Sequence, residues 1–353
     1  MNISKNKDII FFFLLFASLS LSLFNNFYQI KMFDKYGVSK KGPGLHLMIY
    51  GDIAEFWNEA DQITKDLKNG KNYLDTGGDF RRPYLPSRII SLFSNFFSKN
   101  LLTEDGRVFL GSEKVILLVF QSLFYYLLLS ILYIKILAIF PKLNAQILIL
   151  FLAYEPTIFQ FHSSFWSESI FFSMQILIVL FILKKNLNPF SLFLFGILLG
   201  FFYLQRSVAI FYIFVLFFYF YLADRKNLIR YFAFILPGII IVFLFLGFHN
   251  YKRSGVFHVI STQAKDAFYI YLVPEIIANK KNISTPDALK ELLQNEKEWV
   301  TKEKIKFSID EVGNISSVNE MGRLKVFEYR KKVATNYLLT YPISAIKVIL
   351  NKD

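Results

Sequence analysis

The sequence contains no cysteine and no internal repeat. Without cysteine the chain cannot form disulfide bonds, use a thiolate as a nucleophile or bind a metal through sulfur. No glycine-rich phosphate loop, His-x-x-x-His pair or Gly-x-Ser-x-Gly elbow occurs either. Nucleotide-driven chemistry of the kind found in soluble enzymes therefore has no visible motif.

Apolar residues are abundant in the chain. Hydrophobic residues make up 54% of the 353 residues, with 42 Phe and 20 Tyr, and the mean hydropathy is +0.39. A helix needs about 20 mainly apolar residues to cross a hydrocarbon core of roughly 30 Å. We therefore predict an all-α polytopic membrane protein with about seven spans, near residues 9–30, 114–140, 145–161, 167–183, 190–204, 207–222 and 231–248.

The positions of the cations predict the orientation. If every predicted span crosses, one side of the membrane receives Lys5, Lys7, Lys142, Lys184, Lys185, Arg225, Lys226 and Arg230. The positive-inside rule places that side, with the N-terminus, in the cytoplasm. The first span lacks a cleavage site and is expected to remain as an anchor. Membrane orientation also accounts for the net charge of +13, so no nucleic-acid partner is predicted.

The predicted spans divide the chain into three parts. Residues 1–248 form a transmembrane bundle that includes an outer loop over 31–111, residues 249–337 form an extracytoplasmic segment, and 338–353 form an apolar segment that resembles an incomplete span. Apolar residues at helical spacing predict two interfacial helices in the outer loop, over 52–68 and near 89–97. In the extracytoplasmic segment, Thr285 followed by Pro286 indicates a helix start.

Ionisable residues collect near the predicted outer ends of the spans: Asp52, Glu55, Arg81, Arg82, His162, Glu168, Arg206, Lys252 and Arg253. Such groups are costly near hydrocarbon unless they have partners, so they are candidates for function. Arg206 runs against the positive-inside bias, and an anion is its natural partner.

Structural roles compete with functional ones at several of these positions. Asp52 with Glu55 fits the N-terminal cap of a helix and its reciprocal partner. Glu168 fits a cap of the fourth span, and His162 fits an ordinary hydrogen-bonding role in a wet turn. Glu155, beside Pro156, is expected either to join two helices through polar contacts or to belong to a site.

An ordered set of short motifs resembles a known superfamily. The set comprises Asp52, Phe56, Ala60, Ile63, Leu67 and Gly70 followed by Arg82-Pro83-Tyr84-Leu85-Pro86; Glu155-Pro156; Ser167-Glu168-Ser169-Ile170-Phe171; Gly196 to Gly200 with Leu204-Gln205-Arg206; and Asn250-Tyr251-Lys252 with Gly255 and Ser261. It is similar to the GT-C-fold glycosyltransferases that use polyprenyl-phosphate sugars, the superfamily of protein O-mannosyltransferases and lipid A aminoarabinose transferases. The chain departs from that pattern where Ile53 follows Asp52 and where Gln205-Arg206-Ser207 replaces Thr-Arg-Pro.

The resemblance implies a GT-C-like helical bundle in the bacterial inner (plasma) membrane and a role for each candidate residue. Asp52 would accept the proton of an acceptor hydroxyl, and Arg206 with Lys252 and Arg253 would bind the donor phosphate. Glu55, Arg82, His162 and Glu168 would orient the substrates. One displacement would invert the anomeric carbon.

The partners implied are a polyprenyl-phosphate-linked sugar, an acceptor that is a lipid, glycan or protein, and membrane lipid. No metal ligand is predicted, and a divalent metal is left open as a cofactor. Two other functions compete: a transporter or lipid flippase, which would use broken helices and polar groups within the membrane, and a non-catalytic membrane scaffold.

Overall fold

The computed structural model describes residues 3–36, 52–76, 83–97, 112–164, 167–184, 187–259, 268–309, 315–317 and 320–350. Its helices are α1 Ile3–Tyr36, α2 Asp52–Lys68, α3 Tyr84–Phe97, α4 Ser112–Ile136, α5 Lys142–Ala153, α6 Pro156–His162, α7 Ser167–Ile182, α8 Pro189–Gln205, α9 Ile210–Asp224, α10 Leu228–Ser254, α11 Val273–Lys281, α12 Thr285–Lys302, α13 Glu320–Thr340 and α14 Pro342–Leu350. A two-stranded antiparallel hairpin joins β1 Phe307–Ile309 to β2 Ile315–Ser317.

The predicted all-α class is confirmed apart from this short hairpin, which the sequence analysis did not anticipate. Three stretches among the described residues are long and apolar enough to cross a membrane: Asp8–Tyr28, Ile116–Ile136 and Ser207–Arg253. They are consistent with an all-α integral membrane protein. The bent pair α6 and α7 would add a fourth, while α5 and α8 are apolar but shorter. Length and composition alone therefore support three or four of the seven predicted spans in the described helices.

A break in the chain explains part of this difference. The predicted span over 145–161 is interrupted because α5 ends at Ala153 and α6 starts at Pro156. Proline has no N–H to donate and disfavours helical backbone in the preceding residue, and Glu155 is indeed extended. A second bend of 120° separates α6 from α7.

The chain also turns sharply between α9 and α10. The rings of Phe217 and Phe232 lie 5.7 Å apart, and those of Phe220 and Tyr231 lie 4.8 Å apart. A continuous helix would separate Phe217 from Phe232 by about 22 Å, at 1.5 Å per residue. The 3-10 turn Arg225–Asn227 therefore folds α10 back towards α9.

The structure comprises two compact units, each described by itself. Of the described residues, the first contains those in 3–76 and 83–247, and the second contains those in 248–350. In the first unit α4 packs against α1, α3, α5 and α7. Its core joins aromatic and aliphatic side chains of these helices, including Tyr125, Leu129 and Ile149.

A polar seam joins α1 to α4 inside the apolar core. Ser18, Ser22 and Asn26 lie four residues apart along one face of α1 and are fully buried. Ser18 hydrogen-bonds to the Tyr126 hydroxyl at 2.7 Å, and Asn26 donates to Ser122 Oγ at 2.9 Å. Side-chain hydrogen bonds of this kind tie helices together where hydrocarbon offers no other partner. They fix the register of α1 against α4.

Glycines bring α8 and α10 into backbone contact. Gly196 and Gly200 lie one turn apart on α8, and Gly238 lies opposite them on α10. A Cβ added to Gly196 would collide with the backbone oxygen of Ile235, and one added to Gly200 would lie 2.6 Å from Val242 Cβ. Small residues at this spacing are what close packing of membrane helices requires.

The two helices of the outer loop are more buried than predicted. Phe56, Ala60 and Ile63 of α2 are almost wholly buried, and α3 packs against α4 and α8 as well as α2. The apolar stripes are therefore buried, contrary to the expectation, while the position of both helices at the membrane surface stays a prediction. The apolar stripe of each helix faces its neighbours, because the stripes are wide enough to form helix contacts.

A buried ion pair holds the second unit together. The Arg330 guanidinium of α13 donates to the Glu296 carboxylate of α12 at 2.7 and 3.0 Å, and both side chains are buried. Around it Trp299 stacks on Tyr329 with ring centroids 4.3 Å apart. The helix predicted to start at Thr285 is confirmed as α12, with Ser284 as its N-cap.

We expect Gly196→Ala to destabilise the first unit by about 1–3 kcal/mol, because the new methyl group forces α8 away from the α10 backbone. Thermal unfolding of the detergent-solubilised protein measures the effect. Leu194→Ala, at an exposed position of the same helix, is the control and should change the transition little. Equal effects of the two substitutions would contradict the glycine contact.

We expect Glu296→Ala to destabilise the second unit by about 3–5 kcal/mol, since Arg330 is then buried without its counter-ion. Glu298→Ala, two residues away on the exposed face of α12, is the matched control. Hydrogen exchange of the backbone amides in α12 and α13 measures the loss of stability at these two helices. Unchanged protection in Glu296→Ala would show that the ion pair does not hold these helices.

Candidate functional site

An ion pair between the ends of two helices lies at the centre of the candidate site. The Arg206 guanidinium contacts a carboxylate oxygen of Glu168, and these side chains are 34% and 16% exposed. Glu168 lies in the first turn of α7 and Arg206 caps the C-terminus of α8. Each charge therefore has the sign that its helix end favours. The sequence placed these residues on one side of the bundle, and the structure brings them into contact.

Two glutamines join the helices around this pair. Gln205 of α8 donates to the Ser167 carbonyl at 2.8 Å. Gln121 of α4 donates to the carbonyls of His162 and Ser164 at 2.9 and 2.8 Å. A helix end leaves carbonyls without intrahelical partners, and burial makes an unsatisfied carbonyl costly. Gln121 supplies the missing donors at the end of α6, and Gln205 ties the end of α8 to the start of α7.

His162 is buried and does not lie in the wet turn predicted from the sequence. Its ring packs edge-on against Tyr125 with centroids 4.8 Å apart. Neither ring nitrogen has a hydrogen-bond partner among the residues that the structure describes. The reason is that α6 ends at His162 beside α4, whose Tyr125 and Tyr126 rings pack against the imidazole. A substrate-orienting role for His162 therefore requires a molecule that reaches below the surface.

A small cavity adjoins this cluster. It has a volume of about 20 Å³ and lies between α3, α4, α7 and α8, with Ile90, Gln121, Ser167 and Gln205 among its lining residues. This volume suits about one water molecule. The Oε1 atom of Gln205 has no partner in the described part of the chain, so a bound water has an acceptor here.

The helix that starts at Asp52 packs against α3, and α3 lines this cavity. Ser87 donates to Glu59 at 2.8 Å and Thr64 hydrogen-bonds to Ser91 at 3.0 Å, so α2 and α3 run parallel. Their N-termini therefore lie at the same end of the pair. Asp52 is the first residue of α2, and its side chain lies outside the described part of the structure. Its role as a base stays a prediction.

The described residues do not test the remaining predicted site residues. Glu55 lies on α2 but its side chain is outside the described part, and Arg82 lies outside the described residues altogether. Lys252 and Arg253 lie in the last turn of α10, in the second unit. Their contact with a donor phosphate stays a prediction.

Arg88 is a residue near the site that the sequence analysis missed. It is buried on α3 and donates to Thr76 Oγ1 at 2.6 Å and to the Tyr73 carbonyl at 3.3 Å. Its guanidinium also lies 4.6 Å from the Tyr73 ring centroid and 4.9 Å from that of Tyr84. Arg88 thus holds the end of the loop after α2 onto α3. The sequence offered one indication of this role, because Arg88 is a single cation among the apolar residues of a predicted helix.

Glu155 is an N-cap rather than part of the cluster. Its carboxylate accepts from the Thr157 hydroxyl at 2.7 Å and from the Thr157 backbone N–H at 3.2 Å. The sequence left open whether Glu155 ties helices together or belongs to a site. The geometry shows that its described hydrogen bonds cap its own helix.

Metal ligands are not grouped anywhere in the described residues: no set of three His, Asp or Glu side chains there could hold a metal ion. No protein-family model, curated protein or solved structure matches the chain. The similarity to GT-C-fold enzymes therefore stays a prediction, and functional proposals rest on the geometry.

Proposed function

We propose that the chain is an integral membrane glycosyltransferase that moves a sugar from a polyprenyl-phosphate donor to an acceptor hydroxyl, with inversion, on the extracytoplasmic face of the bacterial inner membrane. The observation that carries the proposal is the Arg206–Glu168 pair at a junction of helix ends. An arginine at such a junction is the side chain that most often recognises phosphate, because its planar guanidinium matches phosphate oxygens with paired N–H groups.

The proposed chemistry assigns one task to each charged group. Arg206 stabilises the phosphate that leaves with its negative charge, so no proton donor is needed for the leaving group. Glu168 keeps Arg206 in place through the ion pair. Asp52, from the start of α2, accepts the proton of the attacking hydroxyl.

A second candidate function, a transporter or lipid flippase, is favoured by one observation. The break between α6 and α7 places a buried imidazole and freed carbonyls beside α4, and broken helices of this kind occur in transporters. Reconstituted protein incubated with polyprenyl-phosphate sugars labelled in the sugar separates the two. Cleavage of the sugar–phosphate bond supports a transferase, whereas movement of the intact lipid between leaflets supports a transporter.

Asp52→Asn is expected to reduce sugar transfer about 10²–10⁴-fold, because the amide cannot accept the proton. Membranes that contain the protein and its acceptors are incubated with a panel of labelled polyprenyl-phosphate sugars, and transfer to the acceptor fraction is counted. Asp52→Glu, which keeps a carboxylate, is the matched control and should retain measurable transfer. Near-normal transfer by Asp52→Asn would remove Asp52 as the base.

Arg206→Ala is expected to raise the KM for the donor more than that for the acceptor, with a loss of at least about tenfold, since a charge-assisted hydrogen bond contributes about 1.5–3 kcal/mol. The variant also leaves Glu168 without its ion-pair partner, so a structural effect must be separated from a chemical one.

The double variant Glu168→Gln with Arg206→Met makes that separation. It removes both charges, so neither is left unpaired, and the new side chains are close in volume to the ones they replace. If Arg206 binds phosphate, the double variant unfolds normally on heating but stays defective in donor use. Recovery of normal transfer by the double variant would show that the pair has only a structural role.

A further inference from the structure

A large apolar cavity lies apart from the proposed transfer site, between α4, α5, α6 and α7. Its volume is about 620 Å³, within the range of sites that hold small molecules. The lining is mostly aliphatic and aromatic, and includes Leu132, Leu148, Leu152, Ile176 and Leu183. The lining positions from Phe172 to Leu183 extend about 16 Å along α7, at 1.5 Å per residue.

The surroundings of the cavity are those of a surface that faces lipid. Ile147 and Phe151 on the neighbouring face of α5 are exposed, and they directly precede Leu148 and Leu152, which line the cavity. Alkyl chains are the apolar molecules that a bilayer supplies at high concentration. An alkyl chain that fills an apolar cavity is held there by dispersion contacts with the lining side chains.

The two ends of the cavity differ in charge. Glu155 and Thr157 line one end, and Glu155 is the one charged residue in the lining. Both hydrogen bonds described for its carboxylate go to Oε1, and Oε2 has no described partner. Phe140 and Leu183 line the other end. The nearby cations Lys142 and Lys184 do not line the cavity and are bound to Asp8 and Ser191 respectively.

We propose that one acyl chain of a zwitterionic aminophospholipid occupies this cavity, with its ammonium headgroup bound to Glu155. The carboxylate attracts the ammonium and accepts its N–H, and it repels a headgroup that carries only negative charge. A polyprenyl-phosphate headgroup carries only negative charge, so the lipid proposed here is a different molecule from the sugar donor. The proposal therefore holds whether or not the chain is a glycosyltransferase.

The test uses the full chain, delipidated in detergent and then mixed with phosphatidylethanolamine, phosphatidylcholine or phosphatidylglycerol. Native mass spectrometry counts the lipids that remain bound. We expect one retained phosphatidylethanolamine, bound about tenfold more tightly than phosphatidylglycerol, since a charge-assisted hydrogen bond contributes at least about 1.5 kcal/mol. Phosphatidylcholine, whose ammonium has no N–H, should bind with intermediate affinity. Equal retention of phosphatidylglycerol and phosphatidylethanolamine would overturn the proposal.

Two matched pairs of variants locate the binding. Leu148→Trp fills the cavity and should abolish retention, whereas Ile147→Trp on the adjacent outer face should not. Glu155→Gln should lose the preference for phosphatidylethanolamine, and Glu155→Asp should keep it. Retention by Leu148→Trp, or an unchanged preference in Glu155→Gln, would each place the lipid elsewhere. Thermal unfolding verifies that every variant compared is folded.

Discussion

The hydrogen bonds that satisfy buried backbone groups at the break between α6 and α7 are the constraint on which the candidate site depends. Pro156 and the 120° bend prevent a single straight helix through this region, so carbonyls are freed inside the bundle. The single side chain of Gln121 satisfies two of them. Because α4 also packs against α1, α3, α5 and α7, this glutamine connects the break to the central helix of the first unit.

The same break determines where the charged groups lie. Because α6 ends at His162, the chain starts a new helix, α7, at Ser167. Glu168 in its first turn is partly exposed and contacts Arg206 at the end of α8. Gln205, the residue before Arg206, donates to the start of α7 and holds the two helix ends together. The close contact of α8 with α10 through Gly196 and Gly238 then fixes α8 from its other side. The ion pair is thus a consequence of helix packing as much as of charge.

Several predictions from the sequence were correct because they depend on local chemistry. The apolar spacing of residues 52–68 predicted α2, and Pro286 predicted the start of α12. The burial of α2 and α3 was not predicted, because an amphipathic stripe does not specify whether lipid or another helix covers it. For the same reason the wet turn expected at His162 is a buried position. The predicted span over 145–161 is divided into two helices because hydropathy does not locate a break as well as Pro156 does.

The sequence by itself determined the apolar composition, the helical class and the identity of the charged residues near the ends of the apolar segments, since each follows from residue type and spacing. Only the tertiary structure decided which of those charges meet. Arg206 pairs with Glu168, Arg330 pairs with Glu296, and Glu155 caps its own helix beside an apolar cavity. Partner choice depends on how distant segments pack, and spacing along the chain carries no information on distances across a bundle.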